Sequence, residues 1–158
     1  MPSNLFLGPI NNLQTLLATT ARWRELTGAA DVAGAKEFIH KGSALDTRTH
    51  PRPRSIIGPK EGRTLERTST TGWFLEGPLF WELELETPDE YIGDHNAAFD
   101  WFMGEVQTLI HQMATLVVTQ NILDVTRFTE SEAAVPFEAE LSDGVEYWGT
   151  LWEINVNG

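Results

Sequence analysis

The strongest constraint on the fold is a run near the middle of the chain in which apolar and mostly acidic residues alternate. Leu79, Trp81, Leu83 and Leu85 alternate with Phe80, Glu82, Glu84 and Glu86. A period of two places successive side chains on opposite faces of a β-strand. The run therefore predicts a strand with one buried and one acidic face. We expect Trp81→Glu to destabilise the fold severely and Glu84→Gln to be nearly silent.

Two other segments have the spacing of amphipathic helices. Apolar residues recur on one helical face from residue 10 to 26, and Gly28 follows as a suitable helix stop. A second helix is predicted to begin at the capping residue Asp94 and to run to about Val117. A further helical turn is expected within residues 29–36.

The remaining apolar segments predict more strands. They cover residues 37–41, 55–58, 122–128, 135–141 and 145–156, and residues 73–78 are expected to supply a partner strand and turn for the alternating run. Asp143-Gly144 predicts a hairpin in which Ala139 lies opposite Trp148 and Leu141 opposite Glu146. The predicted fold is α+β: a single domain over 1–158, with a mostly antiparallel β-sheet packed against two main α-helices. A flexible basic loop is expected at about 42–72.

Composition narrows the class of protein further. The chain has 158 residues, of which 41% are hydrophobic, and it includes six Trp and eight Phe, a composition that excludes a disordered protein. It contains no Cys, which excludes disulfides, thiolate nucleophiles and thiolate zinc sites. No basic leader or spanning hydrophobic segment is recognisable, so we expect no membrane association.

Charge is distributed unevenly along the sequence. The net charge of −12 disfavours binding to a phosphate backbone. Residues 36–67 nevertheless hold eight basic residues against four acids, while residues 82–158 hold sixteen acids against Arg127 alone. One interpretation is an unevenly charged solvated surface. The other is a subunit with complementary faces, which would dock head to tail on its copies.

The sequence offers little that points to catalysis. It has no P-loop, G-x-S-x-G elbow or dinucleotide-binding glycine motif, and its four histidines lack the spacing of a zinc site. Glu82, Glu84 and Glu86 could hold a hard cation or act as an acid and base pair, but a uniformly exposed or arginine-paired strand face is the favoured interpretation. We therefore predict no enzyme activity, catalytic residue, metal or cofactor. A small hydrolase or carbohydrate-binding domain that uses the acidic strand 82–86 remains the alternative.

The order of elements and their sequences carry a family resemblance. The predicted order begins with a helix that ends in Trp23-Arg-Glu-Leu, followed by a short strand at Phe38-Ile-His and then by Arg52-Pro-Arg-Ser-Ile-Ile. It continues with a hairpin at Gly72-Trp-Phe-Leu-Glu-Gly-Pro-Leu, a long helix, and a C-terminal strand at Tyr147-Trp-Gly-Thr-Leu-Trp-Glu-Ile. The chain resembles the small tail-terminator and neck (head–tail joining) proteins of tailed bacteriophages.

That resemblance implies a structural virion subunit of the tail or neck, assembled in the host cytoplasm. Its partners would be copies of itself in a ring, typically a hexamer, together with tail-tube and neck or connector proteins. Neither a membrane, a cofactor nor sequence-specific nucleic-acid binding is implied. A head-completion or tail-tube subunit is the nearest alternative.

The charge pattern predicts where the copies meet. The basic segment 48–67 is expected to dock on an acidic surface of the C-terminal half of a neighbouring copy, with charge setting orientation and apolar residues supplying affinity. The predicted interface residues are Arg48, Arg52, Arg54, Ile56, Ile57, Lys60, Arg63, Leu65 and Arg67. Reversing Arg52, Arg54, Arg63 and Arg67 together is expected to leave the fold intact and to separate the subunits.

Overall fold

The computed structural model describes residues 7–42, 53–60, 64–67, 73–130, 138–142 and 144–156. Its elements in chain order are α1 (Leu7–Thr19), α2 (Ala21–Thr27), α3 (Val32–Lys36), β1 (Ile39–Lys41), β2 (Arg54–Pro59), β3 (Thr64–Arg67), β4 (Trp73–Glu86), a 3₁₀ turn (Asp89–Tyr91), α4 (His95–Gln120), β5 (Val125–Glu130), β6 (Glu138–Ser142) and β7 (Val145–Val156). The predicted α+β class is confirmed.

The first helical segment is broken at Thr20. The Thr20 hydroxyl donates to the Leu17 carbonyl at 2.7 Å and accepts from the Trp23 amide at 3.3 Å, so this residue caps the start of α2. The prediction of one continuous helix over residues 10–26 is therefore wrong. Gly28 ends α2 with φ 71°, which confirms the predicted stop.

The strands form a seven-stranded sheet. Its main order is β1-β2-β4-β7-β5, while β3 pairs with β4 and β6 pairs with β7. Among the strand pairs that the structure describes, β1–β2 is parallel and the others are antiparallel. Ala139 lies opposite Trp148 and Leu141 opposite Glu146, as predicted for the last hairpin.

β4 runs without a turn for 14 residues. Its first part pairs with β3 and its later part with β2 and β7, so the expected turn at Gly77-Pro78 is wrong. The backbone stays extended there because the Pro78 carbonyl accepts from the Lys60 amide at 3.1 Å, and Gly77 pairs with Val156 of β7. Residues 42–72 were expected to contain one strand and a loop, and the described part of them contains β2 and β3.

The apolar face of β4 meets the helices. Leu79, Trp81, Leu83 and Leu85 are buried in one core with residues of α1 and α4. The helices contribute Leu13, Leu16, Leu17, Phe102, Val106, Leu109 and Met113. The predicted burial of this strand face is confirmed, and we refer to it as the core face of the sheet. The opposite side is the outer face.

α2 is fastened to α4 by polar contacts. The Arg22 amide donates to Gln112 Oε1 at 2.9 Å, and the Arg22 side chain binds the Glu105 carboxylate. Hydrogen bonding to Glu105 raises the pKa of Arg22 above its ordinary value, with burial opposing the rise. The buried Glu105 therefore does not place an unpaired charge against the core.

Candidate interaction surface

The predicted interface residues lie in different environments. Arg48, Arg52 and Arg63 lie outside the described residues. Leu65 belongs to β3, where it pairs with Leu75, and its side chain is outside the described part of the structure. Arg67, at the end of β3, is exposed.

Lys60 follows β2 and retains some exposure. Its ammonium group forms an ion pair with Glu153 of β7, and its side chain is 39% exposed. Lys60 and Arg67 are thus the described members of the predicted basic surface that solvent reaches.

Three other predicted interface residues are buried in β2. Arg54 and Ile56 are each 2% exposed, and Ile57 is fully buried. β2 lies inside the sheet between β1 and β4, so these side chains have no surface to offer a second chain. Their assignment to the interface is corrected. Reversing the charge of Arg54 would disrupt the fold instead of only separating subunits.

Arg54 forms an ion pair with an acidic residue of the neighbouring strand. It lies opposite Glu84 in the β2–β4 register, and its Nε donates to Glu84 Oε2 at 2.5 Å. Glu84 is itself only 8% exposed. The expectation of a uniformly exposed acidic strand is therefore wrong, and the interpretation as an arginine-paired face holds at this position.

Glu82 lies on the same strand face as Glu84 and is partly buried. Burial raises the pKa of its carboxyl group, the negative charge of Glu84 adds to the rise, and Arg54 opposes it. Glu86, two residues beyond Glu84, is exposed. Three glutamates at a spacing of two thus range from a buried ion pair to open solvent.

This arrangement fits a structural ion pair between two strands better than a catalytic pair of carboxylates. Carboxylates with different environments are what general acid and base catalysis requires. However, Glu84 is bound to Arg54, and both are almost completely buried, so neither can contact a substrate. The ion pair joins β2 to β4 on the outer face of the sheet.

Acidic residues gather where β4 ends and α4 begins. Glu86, Asp89, Glu90 and Asp94 are all exposed, and we call them the acidic end. The sequence between Arg67 and Arg127 contains no Lys or Arg. Asp94 also caps α4 by accepting from the Ala97 amide at 3.2 Å, as predicted.

Two unpaired polar atoms lie next to the acidic end. The Thr87 amide donates to the Glu146 carbonyl at 3.0 Å, which places the two residues side by side on neighbouring strands. Thr87 Oγ1 and Glu146 Oε2 are both buried, and neither has a hydrogen-bond partner among the residues that the structure describes. Buried groups of this kind carry a desolvation cost of about 1–3 kcal/mol each.

The described residues contain neither a cluster suited to a metal ion nor a helix suited to span a membrane. No three His, Asp or Glu residues among them are arranged to hold a metal ion. None of the helices described is both long and apolar enough to cross a bilayer.

The sequence matches no protein-family model, and no curated protein matches it.

Sequence reasoning missed the Arg54–Glu84 pair and the separate environment of Glu82. One signal was present: Arg54 directly precedes an apolar Ser-Ile-Ile stretch, where an arginine needs a partner. The partner could not be named because the pairing register of β2 on β4 depends on a connection that local sequence does not specify.

Proposed function

We propose that this chain is a structural subunit of a closed homo-oligomeric ring, of the kind that terminates the tail tube or forms the neck of a tailed bacteriophage. In this proposal it has no enzymatic activity. Its partners are its own copies, the tail tube below and a neck or connector protein above, and the completed ring belongs to the virion.

Segregation of charge is the observation that carries this proposal. Four exposed acids form the acidic end, whereas the exposed Arg67 and the partly exposed Lys60 belong to the segment around β2 and β3. In a chain of net charge −12, two identical acidic surfaces repel one another, so a neighbour is favoured where it presents basic residues. Contact between unlike surfaces is head to tail, and it closes into a ring when the rotation between copies permits.

Exposed ion pairs contribute only about 0–1 kcal/mol each, so charge would set the orientation of neighbours more than their affinity.

The alternative of a hydrolase or carbohydrate-binding domain has less support. It requires two accessible carboxylates on the acidic strand. Glu84 is buried and paired with Arg54, so a substrate could not contact it. A head-completion or tail-tube subunit would also assemble into a ring and would differ only in the virion proteins it contacts.

A charge-reversal variant tests the proposal. Arg52, Arg63 and Arg67 are changed together to Glu, while the buried Arg54 is left intact. We expect an unchanged far-ultraviolet circular dichroism spectrum and a shift from multimer to single chains in light scattering. Added salt should weaken wild-type assembly only in part, because the apolar component of a contact is not screened.

The matched control changes the exposed Lys41 and Arg127 to Glu, which lowers the net charge in the same direction at residues outside the predicted interface. Assembly of the Arg-to-Glu variant at wild-type strength would contradict the proposed docking of unlike charges.

A further inference from the structure

Part of the long strand β4 extends beyond the body of the sheet. β7 pairs with β4 from Gly77 to Glu86, and β2 pairs with it from Leu79 to Glu84. Residues 73–76 of β4 pair with β3 alone among the strands that the structure describes. β3 and residues 73–76 thus form a two-stranded ribbon at one end of the sheet, which we call the β3–β4 ribbon.

The β3–β4 ribbon has open backbone edges. In the described part of the chain, no third strand pairs with either of its two strands. An isolated pair of strands is marginally stable in water, and an unpaired strand edge presents N–H and C=O groups to other chains. A second chain that covered the ribbon would therefore stabilise it.

The strand register gives the ribbon two faces of different chemistry. The opposed pairs are Leu65 with Leu75, Arg67 with Trp73, Thr64 with Glu76, and Glu66 with Phe74. Directly opposed residues share a face and successive residues alternate between faces, so the first two pairs lie on one face and the last two on the other. The first face holds three apolar residues and the exposed Arg67, with no acid, and we call it the basic-apolar face. Both glutamates of the ribbon lie on the second face.

The opposite end of β4 has the complementary chemistry. β4 runs for 14 residues from Trp73 to Glu86, which separates the ribbon from the acidic end by about 40 Å at about 3.3 Å per residue. Apolar residues lie among the acids there. Ile92 is 55% exposed, and the half-buried Tyr91 and Trp101 stack with their ring centroids 6.3 Å apart. The acidic end therefore combines negative charge with apolar surface.

We infer that the basic-apolar face of the ribbon of one copy docks on the acidic end of a neighbouring copy, an inference that rests on the proposed ring. The occupant is a second copy because the two surfaces lie at opposite ends of one strand and cannot meet within a chain. Arg67 meets negative charge in this contact, and the apolar residues of the ribbon pack beside Ile92. Glu66 and Glu76 lie on the other face of the ribbon and do not oppose the contact.

The ribbon supplies the apolar contact that β2 cannot. Ile56 and Ile57 are buried within their own chain, so the affinity of a ring contact has to come from other apolar residues. Leu65 is the remaining apolar residue of the predicted interface, and it pairs with Leu75 on the basic-apolar face. Exposed ion pairs mainly select the orientation of the copies, and burial of the apolar residues holds them together.

Cross-linking between mixed chains tests the inference, because a chain without Cys makes any introduced cysteine its only thiol. Arg67→Cys places a thiol on the ribbon and Glu90→Cys places one at the acidic end, both at exposed positions. A short bifunctional maleimide is added to each variant alone and to an equimolar mixture. We expect a covalent two-chain product in the mixture and little in either variant alone, because the contact joins unlike surfaces.

The matched control for cross-linking is Ala114→Cys. This position is exposed on the same long helix that follows the acidic end, but about 28 Å from its first residue at 1.5 Å per residue. Mixed with Arg67→Cys chains, it should give no more product than two unassociated chains.

An exchange of charges measures whether the two surfaces are coupled. Arg67→Glu and Glu90→Arg should each weaken assembly about two- to tenfold, because each replaces attraction by repulsion at an exposed contact. A chain with both substitutions restores opposite charges across the contact and should assemble more strongly than either single variant. Circular dichroism shows whether all three variants fold.

The outcomes separate this inference from the proposed ring. A ring that gives no cross-link between positions 67 and 90, and in which the exchange of charges restores nothing, overturns the inference and leaves the ring standing. A position 67 thiol that becomes protected only when tail-tube ends are added, without cross-linking to a copy, assigns the ribbon to the tube and also overturns the inference. Cross-linking in an open-ended series of masses supports the docking but contradicts the closed ring. A wild-type chain that remains a monomer at every concentration, with or without tail-tube ends, overturns both.

Discussion

At the scale of single residues, the buried Arg54–Glu84 pair changes what a substitution on β4 should do. The alternating sequence alone indicated that Glu84→Gln would be nearly silent, because it assigned Glu84 to a solvated face. With Arg54 only 2% exposed, removal of the carboxylate charge takes away an ion-pair partner of a buried guanidinium group. We now expect Glu84→Gln to lower the free energy of unfolding by about 3 kcal/mol.

Urea denaturation of Glu84→Gln and Glu86→Gln measures this effect. Glu86 lies two residues further along the same strand face and is exposed, so its substitution should change stability by about 0.5 kcal/mol or less. Equal midpoints for the two variants would show that the Arg54–Glu84 pair does not stabilise the sheet.

The protonation of Glu82 predicts a pH-dependent difference in stability. Its pKa is raised from an ordinary value of 4.5, so the folded chain holds this proton more tightly than the unfolded chain does. Stability is therefore lost as pH rises through the raised pKa. Glu82→Gln removes this loss, and its melting temperature should exceed that of the wild type by more at pH 8 than at pH 5.

Thermal melts at the two pH values test this prediction, with Glu86→Gln as the exposed control. A melting-temperature difference between Glu82→Gln and wild type that is the same at pH 5 and pH 8 would contradict a raised pKa. A melting-temperature difference that is larger at pH 5 than at pH 8 would indicate that the pKa of Glu82 is lowered instead of raised.

At the scale of elements, Thr20 separates α1 from α2. Its hydroxyl contacts both the last turn of α1 and the first turn of α2, and the residue is 1% exposed. Thr20→Val keeps the shape but removes both hydrogen bonds, and it should cost about 1 kcal/mol of unfolding free energy. Thr20→Ser keeps the hydroxyl and is the matched control in chemical denaturation. If the two variants are equally stable, the hydroxyl does not determine the helix boundary.

Most elements could be predicted because their periodicity is local. The alternation of Leu79 to Glu86, the cap at Asp94 and the Asp143-Gly144 signal all correspond to observed elements. The break at Thr20 was missed because apolar spacing continues across it, while a single buried hydroxyl turns the backbone. Gly77-Pro78 resembled a turn, but pairing with β7 keeps it extended.

At the scale of the whole molecule, sequence and structure identify different parts of the candidate surface. The basic segment and the acidic C-terminal half are visible in the sequence because charge can be counted. Whether a residue of that segment is exposed depends on pairing between distant strands, and this is why Arg54, Ile56 and Ile57 were assigned to a surface they do not reach.

Native mass spectrometry, supported by light scattering over a range of concentrations, tests the central claim most directly. The proposed ring predicts one closed multimer whose mass is a fixed multiple of 17.7 kDa, formed either by the isolated protein or when tail-tube ends are added. A chain that remains monomeric both with and without tail tubes would contradict the account, as would an open-ended series of masses.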